Sequence, residues 1–167
     1  MTTRLTEEQV MIQDMAKRFA ADRLAPHTSE WDETKHFPVD VIKDPADLGF
    51  AGIYVSECVG GSALGRRDAA RIFEQLSYGD VSTAAFISIH NMASWMIDRF
   101  GSDEQREAWL PKLTAMDWIA SYCLTEPGSG SDAASMKTTA VRDGDEYVIN
   151  GSKQFISTAF QRLIYVI

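Results

Sequence analysis

The sequence predicts an α+β fold, in which a helical domain comes first and an antiparallel β domain begins after it. Apolar residues recur at helical spacing through the first part of the chain, and capping signals precede several of these segments. Short apolar or alternating segments separated by Gly-containing turns replace this pattern from Ile119 onward. We place the boundary near Met116–Trp118, which gives a helical domain at 1–117 and part of a β domain at 118–167.

Five helices are predicted in the first domain. The first begins with capping-box spacing at Thr6–Gln9 and ends at Pro26. Its wide apolar face consists of Met11, Ile12, Met15, Ala16, Phe19 and Ala20. The second begins at Pro38, a residue suited to the first helical position, and runs toward Gly49. Pro45 lies inside this second helix, so we expect a break or a kink there.

The remaining helices carry clearer apolar patterns. The third covers Asp68–Tyr78, and the fourth covers Ser82–Phe100 with Gly101 as its cap. The apolar stripe of the fourth helix consists of Phe86, Ile89, Ala93, Met96, Ile97 and Phe100. The fifth opens at Ser102–Gln105, again with capping-box spacing. His90 lies beside the stripe of the fourth helix, so we interpret it as a satisfied core histidine, with a pocket-lining role as the alternative.

The β domain is predicted from five short segments. These are Ile119–Leu124, Thr138–Arg142, Glu146–Ile149, Gln154–Ser157 and Leu163–Ile167. Asp143-Gly144-Asp145 predicts the turn between the second and third strands, and Asn150-Gly151 predicts a hairpin between the third and fourth. The last strand would leave an open apolar edge, which natural proteins avoid. We therefore expect the sequence to be part of a longer protein; the alternative is a small, unusual β domain.

Charge and composition disfavour several classes of function. The net charge of −8 disfavours a general role in binding nucleic acid or anionic membranes. The two cysteines and three histidines are scattered, which indicates neither a disulfide framework nor a metal site. The N-terminus has neither an apolar signal core nor an Arg-rich presequence, and no stretch is long enough to span a bilayer. These features predict a cytoplasmic protein.

One turn has a composition suited to ligand binding. The segment Tyr122–Asp132 leaves a strand and enters a turn with two glycines, which let a backbone approach a ligand closely. Backbone N–H groups and the hydroxyls of Thr125, Ser129 and Ser131 suit a flat polar ring or a phosphate. A tight strand connection without a ligand explains the same composition, because Gly-Ser turns are common.

This turn resembles the flavin-binding signature of the acyl-CoA dehydrogenase family, and further motifs of the family follow in the same order and spacing. They are Leu48-Gly49-Phe50 with Gly60-Gly61, Ser88–Asn91, Phe100–Gln105 and Asn150–Ser157. The resemblance covers nearly the whole chain. Around His90–Met92 and Tyr122–Ser135 the sequence is most similar to the isobutyryl-CoA dehydrogenase branch, which acts on short branched chains.

The resemblance implies a three-domain fold, with FAD between the middle β domain and a C-terminal helical bundle that lies outside this chain. The residues implied to line the flavin are Tyr122, Leu124, Thr125, Gly130, Ser131, Phe155, Ile156 and Ser157. Ser131 would also contact the CoA part of the substrate. Many relatives have Trp at the position of Phe155 and Thr at that of Ser157, so an aromatic wall and a hydroxyl are kept.

The implied reaction is α,β-dehydrogenation of a short acyl-CoA to the trans-2-enoyl-CoA, within fatty acid and branched-chain amino acid catabolism. The implied partners are electron-transfer flavoprotein and further copies of the chain in a tetramer. No residue matches the catalytic base, which we expect beyond Ile167, so the 167-residue chain alone should be inactive. Glu126 belongs to the turn signature and is not assigned as that base. The alternatives are an acyl-CoA oxidase on the same fold and a non-catalytic binding or interaction module.

Overall fold

The computed structural model describes residues 4–157 and 163–167, and it confirms the α+β class. The helices are α1 (Glu7–Phe19), α2 (Thr28–Thr34), α3 (Val39–Asp47), α4 (Arg66–Gly79), α5 (Val81–Phe100) and α6 (Asp103–Thr114). The strands are β1 (Ile119–Tyr122), β2 (Thr139–Asp143), β3 (Glu146–Asn150) and β4 (Leu163–Val166). Helices therefore precede strands, as the change of sequence pattern predicted.

Side-chain caps fix the starts of three helices. Thr6 forms a capping box with Gln9 at the start of α1, and Ser102 forms one with Gln105 at the start of α6. Asp80 caps α5 by accepting a hydrogen bond from the Thr83 N–H. Both predicted capping boxes are thus confirmed. Each satisfies backbone N–H groups that the first helical turn leaves unpaired.

Helical structure around the first prolines departs from the prediction in two ways. A π-helical turn at Ala20–Leu24 continues α1, and α2 follows at Thr28–Thr34 although no helix was predicted there. None of the residues of α2 is buried, and the sequence of this segment has no apolar periodicity that would have indicated a helix. Of the break or kink expected at Pro45, the break is wrong, since α3 stays helical through that residue and ends two residues later.

Two apolar clusters form the core of the helical domain. One joins α1, α4 and α5 with the loop after α3, and its fully buried side chains include Phe50, Ile72 and Leu76. The other joins α5 and α6 with β1, through residues such as Leu113 and Ala120. Helix α5 contributes to both clusters, so it lies at the centre of the domain.

The buried face of α5 differs from the predicted stripe. Phe100 is 73% exposed, and Ile89 and Met96 are only partly buried. The buried residues are Thr83, Ala84, Phe86, Ile87, His90, Asn91, Ala93, Ser94 and Ile97. Phe86, Ala93 and Ile97 of the predicted stripe are thus buried as expected, whereas hydrophobicity alone did not indicate the small and polar residues beside them. Packing against α4 on one side and α6 on the other determines which of these are buried.

The described strands form two separate pairs. β2 and β3 are antiparallel around Gly144, as predicted, but β1 pairs with β4 in parallel, with Ile119 opposite Leu163. The expectation of a wholly antiparallel sheet is therefore wrong. Parallel partners need a long connection, and the chain between β1 and β4 supplies one that contains the turn and the β2–β3 pair.

The predicted hairpin at Asn150-Gly151 is also wrong, and residues 154–157 do not form a strand. The chain instead passes against the start of β2, where a Cβ at Gly151 would lie 2.2 Å from Thr138 Oγ1. The Gln154 N–H then donates to the Thr125 carbonyl at 2.8 Å. Contacts with the turn after β1 therefore replace the expected pairing with β3.

Candidate functional site

The turn that follows β1 is closed by its own backbone. The N–H of Glu126 donates to the Ser129 carbonyl at 2.9 Å, and the N–H of Ser129 donates to the Glu126 carbonyl at 3.1 Å. A Cβ added at Gly128 or at Gly130 would meet no atom within 4 Å. The turn is thus rigid at its base and open on its outer side, where a ligand has room to approach.

Hydrogen-bonding groups on the turn remain available. Thr125 is partly buried and Ser131 is exposed. Within the described part of the chain, no hydrogen bond is formed by the hydroxyl of either residue. Tyr122 and Leu124, which precede them, are partly buried, so part of their apolar surface is accessible. Open hydroxyls beside apolar surface suit a ring that has both a flat face and polar edges.

The segment Phe155–Ser157 lies next to this turn. The Gln154–Thr125 hydrogen bond joins the two segments, and the Ser121 hydroxyl of β1 donates to the Ser157 carbonyl. The Phe155 side chain is 85% exposed, and Ile156 is partly buried. The two segments that sequence reasoning assigned to one ligand are therefore adjacent in space. An exposed aromatic ring beside open hydroxyls and small glycines fits the chemistry of a flavin.

Phe155 also has an unusual backbone. Its φ of 58° lies in the left-handed region, which costs a bulky residue about 1–2 kcal/mol. Strain of this kind persists only where neighbouring contacts hold the chain in place. The contacts of residues 153–157 with the turn and β1 provide that restraint.

Glu126 occupies the centre of the turn, and its side chain is only 6% exposed. Its carboxylate accepts from the backbone N–H groups of Lys137 at 2.7 Å and Thr138 at 3.0 Å, and from Lys153 Nζ at 2.9 Å. Hydrogen bonding from Thr138, then from Lys137 and Lys153, lowers the pKa of Glu126 to about 2. Such a group is a poor base, because three donors hold its carboxylate and its pKa is far below the operating range of a general base.

Lys153 is a residue that sequence reasoning missed. It lies within the Asn150–Ser157 motif, but the prediction assigned a role only to the residues after it. Its ammonium contacts Glu126 and donates to the Leu124 carbonyl at 3.1 Å. A basic residue directly before a predicted strand was the available signal, and only the three-dimensional arrangement shows which acid it meets.

His90 is a fully buried core residue, as interpreted from the sequence. Its Nε2 donates to the Leu113 carbonyl at 3.0 Å, and its Nδ1 accepts from the Ala120 N–H at 3.1 Å. The bond from Ala120 assigns the proton to Nε2, which is the tautomer of a neutral ring. Burial lowers the pKa of His90 to about 4, although the Leu113 hydrogen bond opposes this. His90 therefore joins α5 to α6 and β1, and both of its nitrogens are occupied.

Phe86 packs in the core, with its ring edge-on to Phe37 at a centroid distance of 5.1 Å. Ile89 and Met92 lie on the partly buried side of α5.

In residues 4–157 and 163–167, no group of three metal-ligating side chains lies close enough to hold an ion. In the same residues no helix is long and apolar enough to cross a membrane.

Comparisons with known proteins cover both the helical and the β part of the chain. A sequence profile described as "Acyl-CoA dehydrogenase, N-terminal domain" matches residues 6–117, and one described as "Acyl-CoA dehydrogenase, middle domain" matches residues 121–167. Proteins named mitochondrial isobutyryl-CoA dehydrogenase are 54% identical in Dictyostelium discoideum and 55% identical in Bos taurus over 163 residues. Each alignment covers 98% of this chain and 39% of the relative, so the chain spans about two-fifths of their length.

A solved structure described as the FAD complex of PigA has the same fold. Its TM-score is 0.90 at 34% identity, and the match covers 99% of this chain and 44% of the other. Similarity in sequence and fold thus extends over both the helical domain and the turn region. The chain belongs to the acyl-CoA dehydrogenase family.

Proposed function

We propose that this chain supplies the helical domain and part of the flavin-binding β domain, divided near Met116–Trp118, of an enzyme that oxidises acyl-CoA. The reaction is the FAD-dependent α,β-dehydrogenation of a short branched acyl-CoA to its trans-2-enoyl-CoA. The observation that carries the proposal is the adjacency of the turn at 122–131 and the segment 155–157. The relatives named isobutyryl-CoA dehydrogenase support the branched substrate.

Each proposed site residue has a role consistent with its position. Hydroxyls and N–H groups of Thr125 and Ser131 bind polar edges of the flavin, and Gly130 leaves room for its approach. Phe155 provides an aromatic wall against the ring. The remaining flavin contacts are assigned to Tyr122, Leu124, Ile156 and Ser157. When bound, FAD supplies the redox chemistry by accepting the hydride from the β-carbon.

Substrate contact is assigned to Ser131, whose exposed hydroxyl can donate to the CoA portion. Removal of the proton on the α-carbon needs a carboxylate base, which works best with a pKa near the operating pH, and Glu126 does not meet that need because its pKa lies at about 2. We therefore assign no catalytic base among the described residues of this chain.

The proposed partners rest on the family resemblance. Electrons leave the reduced flavin to electron-transfer flavoprotein, and the active form is a homotetramer. A cytoplasmic location stays a prediction, and both isobutyryl-CoA relatives are named as mitochondrial. Branched-chain amino acid catabolism is the proposed context of the reaction.

The test is a flavin titration with substrate. The full-length gene product is purified, and its visible flavin absorption is followed while isobutyryl-CoA is added without oxygen. Bleaching of the flavin band, with dye-linked turnover, supports the proposal; an absent flavin band or no bleaching contradicts it. Butyryl-CoA serves as the unbranched control, and hydrogen peroxide formation in air would instead indicate an oxidase.

A further inference from the structure

The oppositely charged side chains of Glu126 and Lys153 are almost completely buried in the region assigned to the flavin. The side chain of Glu126 is 6% exposed and that of Lys153 is 15% exposed, with 2.9 Å between Oε1 and Nζ. Neither residue was assigned to the cofactor or to catalysis. Burying a pair of charges costs desolvation that their attraction only partly offsets, so stability alone is a weak reason for such a pair.

The pair connects three stretches of chain. Lys153 donates to the Leu124 carbonyl as well as to Glu126, so it holds the segment before Phe155 against the turn. Glu126 also accepts from the N–H groups of Lys137 and Thr138, which anchors the turn to the start of β2. One ion pair therefore sets the spacing between both flavin segments and the β2–β3 pair.

Apolar packing does not provide this spacing. Every residue of β2 and β3 is exposed, and the segment around Phe155 carries an exposed ring on a strained backbone. A directional pair with defined donors and acceptors fixes register where an apolar contact would allow sliding. The ion pair therefore fixes how the segment around Phe155, the turn and β2 are positioned relative to one another.

We propose that Glu126 and Lys153 are positioning residues for the flavin. They hold residues 153–157 in register with the turn at 122–131, so that the groups assigned to FAD keep their spacing. Neither residue touches the cofactor in this proposal. The inference rests on the proposed function, because it presumes that these two segments bind FAD.

The first experiment replaces Lys153 by Met, which keeps the length of the side chain and removes its charge and donors. FAD affinity is measured by titrating the full-length apoprotein at a temperature where circular dichroism shows it to be folded. We expect FAD binding to weaken by about 10-fold or more, the range seen when partners one layer outside a bound metal are removed. The bound flavin should also lose part of its fluorescence quenching. A purely stabilising pair would lower the melting temperature and leave both readings of the folded protein unchanged.

Two matched variants complete the test. Lys153→Arg keeps the charge and the donors, so it should retain most of the affinity; Lys43→Met removes an exposed lysine of α3 and should have no effect. If Lys153→Met does not fold, Glu126→Gln/Lys153→Met is measured, because it leaves no unpaired buried charge. This double variant should fold, and its FAD affinity should be lower than that of the wild type by about 10-fold or more, as expected for Lys153→Met.

The outcomes separate the two proposals. FAD affinity and quenching within twofold of the wild type, in whichever of these variants folds, would overturn the positioning role and leave the proposed function intact. A wild-type protein that binds no FAD would instead overturn the proposed function. Weak binding by Lys153→Arg, equal to that of Lys153→Met, would also contradict the positioning role.

Discussion

The helical domain and the turn region hold their shapes by different means. Helix α5 buries nine of its 20 residues, whereas β2 and β3 bury none. In the helical domain, apolar packing sets the geometry, and buried polar groups such as His90 and Asn91 are satisfied within it. In the turn region, backbone hydrogen bonds and the Glu126–Lys153 pair set the geometry. The two regions should therefore respond differently to the same kind of substitution.

The largest expected contrast comes from two truncations. Leu76→Ala removes a fully buried side chain of α4 and should cost about 3–4 kcal/mol of unfolding free energy, through lost burial and the cavity left behind. Val148→Ala in β3, where the side chain is 47% exposed, should change it by no more than about 0.5 kcal/mol. Chemical denaturation of both variants measures this contrast, and equal losses would contradict it.

His90 should make the helical domain sensitive to acid. The folded pKa lies at about 4 and the ordinary value is 6.5, so the unfolded state takes up the proton first. Stability is then full above pH 6.5 and falls as the pH drops toward 4, by about 3 kcal/mol at the lower limit. The unfolding free energy, measured by chemical denaturation at several pH values in this range, should therefore depend less on pH in His90→Gln than in the wild type. The same pH dependence in both proteins would show that His90 does not carry the effect.

A smaller loss is expected for the buried amide of Asn91. Its Oδ1 accepts from the Ile53 N–H at 2.6 Å, and its Nδ2 donates to the carbonyls of Phe50 and Ile87. Asn91→Ala leaves the Ile53 N–H buried without an acceptor, which should cost about 2 kcal/mol. Thermal unfolding measures the loss. Asn91→Asp keeps the acceptor but not the donor, so full recovery in that variant would contradict the assigned bonds.

The smallest effect tests a helix cap. The Ser102 hydroxyl accepts from the Gln105 N–H at 3.3 Å in the capping box of α6. Ser102→Ala should lower stability by about 1 kcal/mol, because that N–H loses its acceptor. Ser82→Ala is the control, since Ser82 is exposed in the first turn of α5 and its hydroxyl forms no hydrogen bond within the described residues. Equal melting temperatures for the two variants would refute the role of the cap.

Local sequence signals predicted the parts of the fold that depend on neighbours in the chain. The capping boxes at Thr6 and Ser102 and the tight turn at Gly144 are satisfied within a few residues, so their patterns were sufficient. The hairpin at Asn150-Gly151 failed for a long-range reason. Contacts of residues 151–154 with Thr138 and with the turn outweigh the local preference.

The candidate site shows the same division. Two glycines and several hydroxyls indicated the first segment, from Tyr122 to Ser131, and the family resemblance implied both that segment and the one from Phe155 to Ser157. The sequence did not indicate that Lys153 meets Glu126, since 27 residues separate them. It indicated only part of the buried face of α5, because small and polar residues such as Ser94 are buried there while Phe100 is exposed.

The sequence by itself determined the order of helices and strands, the two capping boxes, the family resemblance and the two segments of the candidate site. These depend on local periodicity, on turn chemistry and on motifs that are continuous in the chain. Only the tertiary structure decided the parallel pairing of β1 with β4, the polar part of the buried face of α5 and the partner of Glu126. The physical reason is that each of these depends on which distant groups meet, and burial and hydrogen bonding between distant groups are settled when the chain packs.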